Sequence, residues 1–305
     1  MAESILNTLI ILCTALLLPG IINRTRSLLS GRKGPRLVQH INSAAVLLRK
    51  GVVYSPSAGL LFKAAPAVYL AASLLALLFV PVAGLRPILS FEGDVVMFAY
   101  LLGLGRGALI LAAMQTGSSF EGMGASREAL YGALVEPALF ITLATLALIT
   151  GHTSFADIFA ECGRFDVSMA IITAIIAYTL YKILNVEAGR IPVDDPRTHL
   201  ELTMIHEVMV LDYSGPDLGM IQIAGWMKTA AIAMIAGNVM AYDLWYNPLS
   251  SVLFACAAAV CVGITESLQA RGRLVRNTTY ILSITAVAAV IFFVAFLLLG
   301  NFALK

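Results

Sequence analysis

Eight apolar runs, each long enough to cross a lipid bilayer, dominate this chain of 305 residues. A helix rises about 1.5 Å per residue, so about 20 mostly apolar residues cross the hydrocarbon core with every backbone group bonded internally. The runs lie at approximately 5–22, 65–82, 95–113, 130–150, 167–186, 218–240, 249–268 and 280–299. The sequence therefore predicts an all-α, polytopic integral membrane protein, organised as a single membrane domain over residues 1–305.

The composition excludes the main soluble classes. Hydrophobic residues make up 59% of the chain and charged residues only 12%, whereas soluble domains carry about 25% charged residues. The four cysteines are isolated and form no C-x-x-C pair: Cys13, Cys162, Cys256 and Cys261. Zinc and iron-sulfur sites need clustered thiolates or imidazoles, so we predict no metal or redox centre bound by this chain itself, whereas a bound quinone remains possible.

The distribution of Lys and Arg predicts the orientation in the membrane. The connections after runs one, three, five and seven hold fourteen of these residues, and the other side of the predicted membrane holds three. Cytoplasmic loops carry the excess of positive charge. We therefore expect a multi-pass protein of the cytoplasmic (inner) membrane, with both termini on the periplasmic or exterior side.

The first long connection contains a further helical pattern. Leu37, Ile41 and Leu48 recur at roughly helical spacing, beside the polar residues His40 and Arg49. This pattern is typical of an amphipathic helix that lies in the headgroup plane. A cytoplasmic helix packed on a partner protein would give the same pattern.

Charged residues also lie inside the predicted spans, where they are costly. Insertion scales assign about 2.5 to 3.5 kcal/mol to a charge at the centre of a membrane helix, so such residues usually pair or line a water-filled cavity. Five are found here: Arg106, Glu136, Lys182, Lys228 and Glu266. Isolated structural ion pairs would explain one or two of them, but five in eight spans favour a polar pathway within the membrane.

The connection between runs five and six has the highest density of charge. Asp195-Pro196 is typical of a helix start and Gly215-Pro216 of a helix end, so we predict a short cytoplasmic helix between them. One polar face of that helix would carry His199 and His206, and the other would carry Glu201. Four carboxylates of the connection are candidates for proton exchange, because burial raises the pKa of a carboxyl group: Glu187, Asp194, Glu201 and Glu207.

Three segments resemble a known family. The run Glu187-Ala-Gly-Arg190-Ile-Pro192-Val-Asp194 resembles the acidic loop of subunit 1 of complex I, the NADH:quinone oxidoreductase. The stretch from Gly117 to Pro137 is similar to the hydrogenase branch of that family, and Gly31-Arg-Lys-Gly34-Pro35 is similar to its motif after the first span. The branch that the chain resembles most is the membrane subunit of formate hydrogenlyase and hydrogenase-4 complexes.

The resemblance implies partners and a function. Such a subunit docks a peripheral arm with hydrogenase-like large and small subunits and iron-sulfur proteins, which hold the [NiFe] and iron-sulfur centres, and it joins antiporter-like membrane subunits. In complex I the same subunit forms much of the quinone chamber. Here Val193 replaces the usual Phe, and Arg197 and His199 stand where complex I has acidic residues. These differences favour a hydrogenase-type partner over a quinone-reactive one.

We therefore predict a non-redox membrane subunit that anchors the peripheral arm and couples its redox chemistry to proton or Na⁺ translocation. The candidate coupling residues are Glu136, Glu187, Arg190, Asp194, Glu201, Glu207, Lys228 and Glu266. The candidate docking residues are Arg36, Glu121, Arg127, Glu128, Arg197, His199 and His206. Two alternatives remain. A quinone-reductase subunit would need an amphipathic cavity between the first and sixth spans, and a stand-alone secondary transporter would use Arg106, Glu136 and Lys228 as a substrate site.

Overall fold

The computed structural model describes residues 2–55, 58–162, 170–195, 204–241, 246–270 and 272–303. Within these ranges the chain forms α1 Ala2–Leu29, α2 Gln39–Leu48, α3 Leu60–Leu77, α4 Asp94–Gln115, α5 Ser119–Thr150, α6 Phe155–Cys162, α7 Ala170–Glu187, α8 Gly215–Met240, α9 Pro248–Leu268 and α10 Leu274–Ala303. All of these helices except α2 and α6 are long and apolar enough to cross a membrane. The prediction of an all-α protein with eight spans is confirmed.

The central helix of the bundle is α8, the sixth span, which packs against α1, α2, α3, α7 and α9. Its middle, from Ala230 to Ala236, is almost entirely buried and consists mainly of small residues. Small side chains allow close approach of helix backbones inside a membrane protein. Near the end of α8, for example, a Cβ atom on Gly237 would lie 2.4 Å from the carbonyl oxygen of Ser251 in α9.

The two ends of the bundle differ in charge. We call the end with the connections α1–α3, α4–α5, α7–α8 and α9–α10 the charged end, and the other the opposite end. The predicted amphipathic helix exists as α2 at the charged end, where its Leu47 and Leu48 side chains approach Gly219 of α8. Val46 and Leu48 remain substantially exposed.

The predicted second span is shifted along the sequence. The apolar run 65–82 predicts a helix throughout, but α3 ends at Leu77, and the residues that follow form a buried non-helical segment. Pro81 has no N–H group and disfavours helical geometry in the residue before it. Asn7 donates to the carbonyl of Val80 (3.0 Å) and accepts from the amide of Val82 (2.6 Å), and Asn238 donates to the carbonyl of Pro81 (2.6 Å). These side chains satisfy backbone groups that the helix no longer pairs.

Two predictions about the connections are wrong. The predicted connection between spans three and four runs from about residue 114 to 129, but α5 already begins at Ser119. The helix predicted between Asp195 and Gly215 is not continuous, since the described part after Met204 contains only a 3₁₀ turn, Glu207–Val210. Gly215-Pro216 does not end a helix but opens α8, where Pro216 occupies the first turn.

At the opposite end, the short helix α6 packs into the core through Phe155, Ile158 and Phe159. Asp94, the first residue of α4, is fully buried, and its side chain caps the N-terminus of α6. Its carboxylate accepts hydrogen bonds from the backbone amide of Phe155 (2.8 Å) and the hydroxyl of Ser154 (2.8 Å). A carboxylate at a helix N-terminus satisfies free amides and interacts favourably with the helix dipole.

Candidate functional site

Arg106, on α4, is the centre of a buried group of charges. Its side chain is only 8% exposed, yet it contacts carboxylates from two other helices. The guanidinium lies 3.4 Å from Glu128 and 3.0 Å from Glu136, both on α5, and it forms an ion pair with Glu187 at the end of α7. The five N–H groups of a guanidinium allow it to bond several carboxylates at once, so one cation links three acidic residues.

A glycine on α5 makes room for this guanidinium. A Cβ atom on Gly132 would lie 2.3 Å from Nη1 and 2.9 Å from Cδ of Arg106. Any larger residue at this position would have to displace the arginine side chain. Gly132 lies one turn from both Glu128 and Glu136, so the same face of α5 provides the gap and two of the carboxylates.

Lys228, on α8, extends the group. Its Nζ atom lies 3.0 Å from Glu187, and its side chain is 6% exposed. Arg106 follows the start of α4 by 12 residues, and Lys228 precedes the end of α8 by 12 residues. At about 1.5 Å per residue, both cations lie about 18 Å from the opposite end of the bundle, which is beyond the middle of a hydrocarbon core about 30 Å thick.

His206 connects these charges to the α7–α8 connection. Its Nε2 atom lies 3.2 Å from Glu128, and its Nδ1 atom lies 3.5 Å from Asp194. Burial by itself would lower the pKa of His206, but the nearby carboxylates of Glu128 and Asp194 outweigh it and raise this pKa above the ordinary histidine value. We call the seven residues Arg106, Glu128, Glu136, Glu187, Asp194, His206 and Lys228 the Arg106 cluster.

Asp194 also holds the connection in shape. Its carboxylate accepts hydrogen bonds from the backbone amides of Ile205 (3.1 Å) and His206 (3.3 Å). Gly189 allows the histidine ring to come close, because it has a φ of +59° and a Cβ atom there would lie 2.8 Å from Nδ1 of His206. The position of His206 therefore depends on local backbone geometry as well as on charge.

A second, smaller group of charges lies beside the Arg106 cluster. Glu266, on α9, is fully buried at its side chain and lies 3.2 Å from Arg190 and 3.5 Å from Arg26. Arg26 in turn lies 3.6 Å from Asp195. Two arginines and two carboxylates balance in charge here, whereas the Arg106 cluster has four carboxylates against Arg106, Lys228 and one histidine.

Four further sequence-predicted residues are in the described part of the chain. Arg36 is exposed, and Glu207 is half-buried in the 3₁₀ turn. Arg127 donates to the carbonyl of Met204 (3.0 Å), and the fully buried Glu121 accepts from the amide of Asp212 (3.0 Å). Arg197, His199 and Glu201 lie outside the described residues. Lys182 does not belong to the Arg106 cluster and instead packs against the rings of Tyr178 and Tyr280.

A cavity of about 550 Å³ adjoins the Arg106 cluster. Glu187, His206 and Lys228 line its polar part. Its apolar walls include Pro19 and Ile22 of α1 and side chains of α8 such as Ile221 and Trp226. The cavity thus lies between the first and sixth spans and is amphipathic. Among the described residues, no group of three or more His, Cys, Asp or Glu has metal-binding geometry.

The arrangement is suited to moving protons or charge by re-pairing. Asp194, His206, Glu128, Arg106, Glu187 and Lys228 form an unbroken series of contacts, with Glu136 as a branch. Coupled titratable groups share protons rather than titrating singly. The sequence did not reveal that Glu128 and His206 belong to this series, because they are 78 residues apart and no local pattern joins them. The contributions of Arg26 and Asp195 to the smaller group were also missed.

The sequence is similar to proteins of one known family. A sequence model of the family described as NADH dehydrogenase matches residues 3–301. Hydrogenase-4 component C of Escherichia coli (strain K12) is 28% identical over 287 residues, which is 89% of each chain. Formate hydrogenlyase subunit 4 of the same organism is 28% identical over 218 residues, or 72% of this chain and 70% of that protein.

A similar fold occurs in a solved structure. One chain of the membrane-bound sulfane sulfur reductase, an archaeal respiratory membrane complex, superimposes with a TM-score of 0.81. The match covers 96% of this chain and 98% of that one at 20% sequence identity. At this identity the likeness concerns the fold.

Proposed function

Because this chain belongs to the NADH dehydrogenase family of membrane proteins, we propose that it is the membrane-anchoring and coupling subunit of a hydrogenase-like or complex-I-like respiratory complex. In this proposal the charged end binds a peripheral electron-transfer arm, and the bundle links redox chemistry in that arm to translocation of protons or Na⁺. The hydrogenase-4 and formate hydrogenlyase relatives support a partner of the hydrogenase type.

The observation that carries the proposal is the Arg106 cluster. Six titratable residues touch in series inside the bundle, and Glu136 branches from Arg106. The series joins the α7–α8 connection to a partly exposed carboxylate within a membrane span. Asp194 and His206 lie in the connection at the charged end, and Glu136, which contacts Arg106, has a side chain that is 40% exposed. A charge change at the charged end can therefore be transmitted into the membrane without a redox group in this chain.

The proposed orientation of the protein in the membrane rests on the distribution of positive charge. The positive-charge bias assigns the charged end to the cytoplasm and both termini to the exterior. The docking surface then includes Arg36, Arg127 and Glu207, together with Arg197 and His199, which lie outside the described residues. We expect the hydrogenase-like large and small subunits and iron-sulfur proteins to bind there, and antiporter-like subunits to bind along the sides of the bundle.

The coupling step is a change of partner. When electron transfer in the docked arm alters the charge beside the α7–α8 connection, the contact of His206 with Glu128 or Asp194 strengthens or breaks. If the contact with His206 breaks, Glu128 competes more strongly with Glu136 and Glu187 for the Arg106 guanidinium. If that contact strengthens, Glu128 competes less strongly. A carboxylate whose pairing with a cation weakens binds a proton more readily, so we propose that the redox event leads to proton uptake at Glu136 or Glu187.

Purification tests the assignment of the chain to a complex. The tagged chain is extracted from its native membrane in mild detergent, and the bound proteins are identified by mass spectrometry. We expect a hydrogenase-like large subunit, iron-sulfur proteins and antiporter-like subunits to remain bound. Isolation of the chain alone or as a homo-oligomer would contradict the proposal, and ion or substrate flux in liposomes would then test the transporter alternative.

Glu136→Gln tests the coupling role within the intact complex. The substitution removes a charge from a partly exposed side chain, so assembly should be retained. We expect the number of cations moved per electron pair in proteoliposomes to fall severalfold, while electron transfer continues. The matched control is Glu3→Gln, which removes an exposed carboxylate in the first turn of α1. An unchanged ratio in Glu136→Gln would remove Glu136 from the pathway.

A quinone-binding role is the second candidate, and the amphipathic cavity favours it. A quinone-reductase subunit would need an amphipathic cavity between the first and sixth spans, and this cavity lies there. It combines apolar walls with Glu187, His206 and Lys228. Small-molecule sites are commonly apolar cavities with a few polar groups. Trp226→Ala, on the cavity wall, should weaken inhibition by quinone-site ligands at least severalfold if quinone binds. Absence of any inhibition in the wild-type complex would exclude this role.

A further inference from the structure

Lys182, in the membrane-spanning helix α7, is the charged residue that the Arg106 cluster does not use. Its Nζ atom lies 5.3 Å from the ring centroid of Tyr178 and 5.0 Å from that of Tyr280, which is on α10. Within the described ranges it forms no ion pair. A lysine held between two aromatic rings remains available to bind an anion.

The surroundings of Lys182 provide further polar groups. A cleft of about 240 Å³ between α7 and α10 is lined by Lys182, Tyr178, Tyr280 and Ser283. The hydroxyl of Tyr280 is buried and has no hydrogen-bond partner in the part of the chain that the structure describes. A buried donor without a partner is costly, so this hydroxyl is suited to donate to a bound acceptor. Arg276, which is exposed, lies one helical turn before Tyr280 on α10 and is a second cation on that side, nearer the charged end.

The cleft continues as an apolar groove. A second cavity, of about 270 Å³, shares Val287 with the first and is lined only by apolar residues, among them Ile172, Val290 and Val294. Lys182 and Ile172 are ten residues apart on α7, which corresponds to about 15 Å along the helix. This length equals about half the thickness of the hydrocarbon core. The polar part lies nearer the charged end, since Lys182 is five residues, or about 7.5 Å, from the end of α7. The apolar part extends past the middle of the membrane to Ile172, near the start of α7.

We propose that the groove between α7 and α10 is a binding site for one anionic phospholipid of the leaflet at the charged end. The phosphate accepts from Lys182 and the Tyr280 hydroxyl, with Arg276 as a second cation nearer the charged end, and one acyl chain lies along Ile172, Val290 and Val294. Basic pockets between membrane helices are known to favour anionic headgroups. The uncompensated lysine selects an anionic lipid over a zwitterionic one, and a groove one leaflet long selects a lipid over a small anion. The proposal does not depend on the coupling function.

Native mass spectrometry of the full chain tests this proposal. The delipidated protein in mild detergent is titrated separately with phosphatidylglycerol and with phosphatidylcholine. We expect one phosphatidylglycerol to bind more tightly than phosphatidylcholine, and Lys182→Gln to weaken its binding about fivefold, since one lysine near a membrane surface contributes about that factor. Lys182→Arg should restore the preference.

Two further variants separate the parts of the site. Lys63→Gln is the matched control, because Lys63 also lies over a tyrosine ring, that of Tyr54, at 5.1 Å. It should leave binding unchanged. Val290→Trp fills the acyl groove without altering charge and should weaken binding of both lipids. Equal binding of the two lipids by the wild type, or an unchanged affinity in Lys182→Gln, would overturn the proposal. So would crosslinking of a partner helix to the groove by a Ser283→Cys variant of the intact complex.

Discussion

The two ends of this bundle bury polar groups in different ways. At the opposite end, Asp94 and the amides of Asn7 and Asn238 bond to backbone groups and to one serine hydroxyl. These partners are fixed in charge and, for the most part, in position. In the half of the bundle nearer the charged end, Arg106 is shared by three carboxylates. Two of them also touch another titratable residue, since Glu128 contacts His206 and Glu187 contacts Lys228.

This difference distinguishes polar groups that keep one set of partners from polar groups that can exchange partners. A carboxylate that accepts from backbone amides is held in one arrangement, because its donors cannot leave. A carboxylate that competes for a shared cation has alternative partners of similar energy, so a small change in charge nearby can redistribute the contacts. We therefore assign a fold-maintaining role to the polar groups of the opposite end and a responsive role to the Arg106 cluster, in which Asp194, bonded to two backbone amides, is the fixed member.

Removal of the shared cation should have the largest effect. Arg106→Leu leaves Glu128, Glu136 and Glu187 without their common partner, and breaking a buried ion pair in this way costs about 3 to 5 kcal/mol. We expect little folded protein in the membrane and a strongly lowered unfolding temperature in detergent. Arg36→Leu, at an exposed arginine of the same end, should behave like the wild type. A stable Arg106→Leu protein would show that the cluster is not held together by this residue.

Loss of the Asp94 carboxylate should destabilise the protein without altering the coupling of electron transfer to cation translocation. Asp94→Ala removes two charge-assisted hydrogen bonds at the start of α6, which are worth about 1.5 to 3 kcal/mol each when the donors remain buried. Asp94→Asn keeps an acceptor for Phe155 and should be milder. Unfolding in denaturant measures the loss, and cation translocation per electron pair in the assembled complex should stay normal. A changed ratio in Asp94→Asn would break the distinction between the two ends.

A methyl group at Gly132 should perturb the Arg106 cluster by displacing the Arg106 side chain, without removing any charged residue. Because the new Cβ atom would lie 2.3 Å from the guanidinium of Arg106, Gly132→Ala must displace this side chain, at a cost of about 1 to 3 kcal/mol. Gly122→Ala, on the same helix, is the matched control, since a Cβ atom there meets nothing within 4 Å. We expect lower thermal stability and lower coupling only in Gly132→Ala. Equal behaviour of the two variants would contradict the described position of Arg106.

The smallest expected effect is a dependence of the α7–α8 connection on pH. The pKa of His206 is raised on folding from its ordinary value of 6.5, so its contribution to stability is complete below that value and is lost as the pH rises through the folded pKa. Amide hydrogen exchange at Ile205 and His206, corrected for the intrinsic rate, should therefore increase above neutral pH. His206→Gln should abolish the dependence, whereas His152→Gln, an exposed histidine at the opposite end, should not.

Much of the fold was accessible from the sequence because hydrophobic length is a local signal. All eight spans were located, and α2 was recognised from its apolar spacing. The errors occurred where a few residues override that signal. Pro81 ends α3 early although the apolar run continues, and asparagines from α1 and α8 then bond the freed backbone. The polar start of α5 resembles a loop in sequence, since charged residues such as Glu121 and Glu128 are typical of connections when their burial is unknown.

The candidate site was predictable only in part, for a related reason. A charge within an apolar run stands out, so Arg106, Glu136, Lys228 and Glu266 were identified. Which charges meet depends on helix packing, which a single sequence does not encode locally. The same limit explains why Lys182 was grouped with the other intramembrane charges, although it faces α10 and two tyrosine rings.

Redox-triggered infrared difference spectroscopy of the intact complex tests the central claim most directly, because it detects carboxyl groups that gain or lose a proton when the peripheral arm is reduced. We expect a signal from carboxylic acid C=O stretching that is altered in Glu136→Gln or Glu187→Gln and unchanged in Asp94→Asn. A signal that is identical in the wild type and in both cluster variants, or one that only Asp94→Asn removes, would contradict the assignment of the responsive role to the Arg106 cluster.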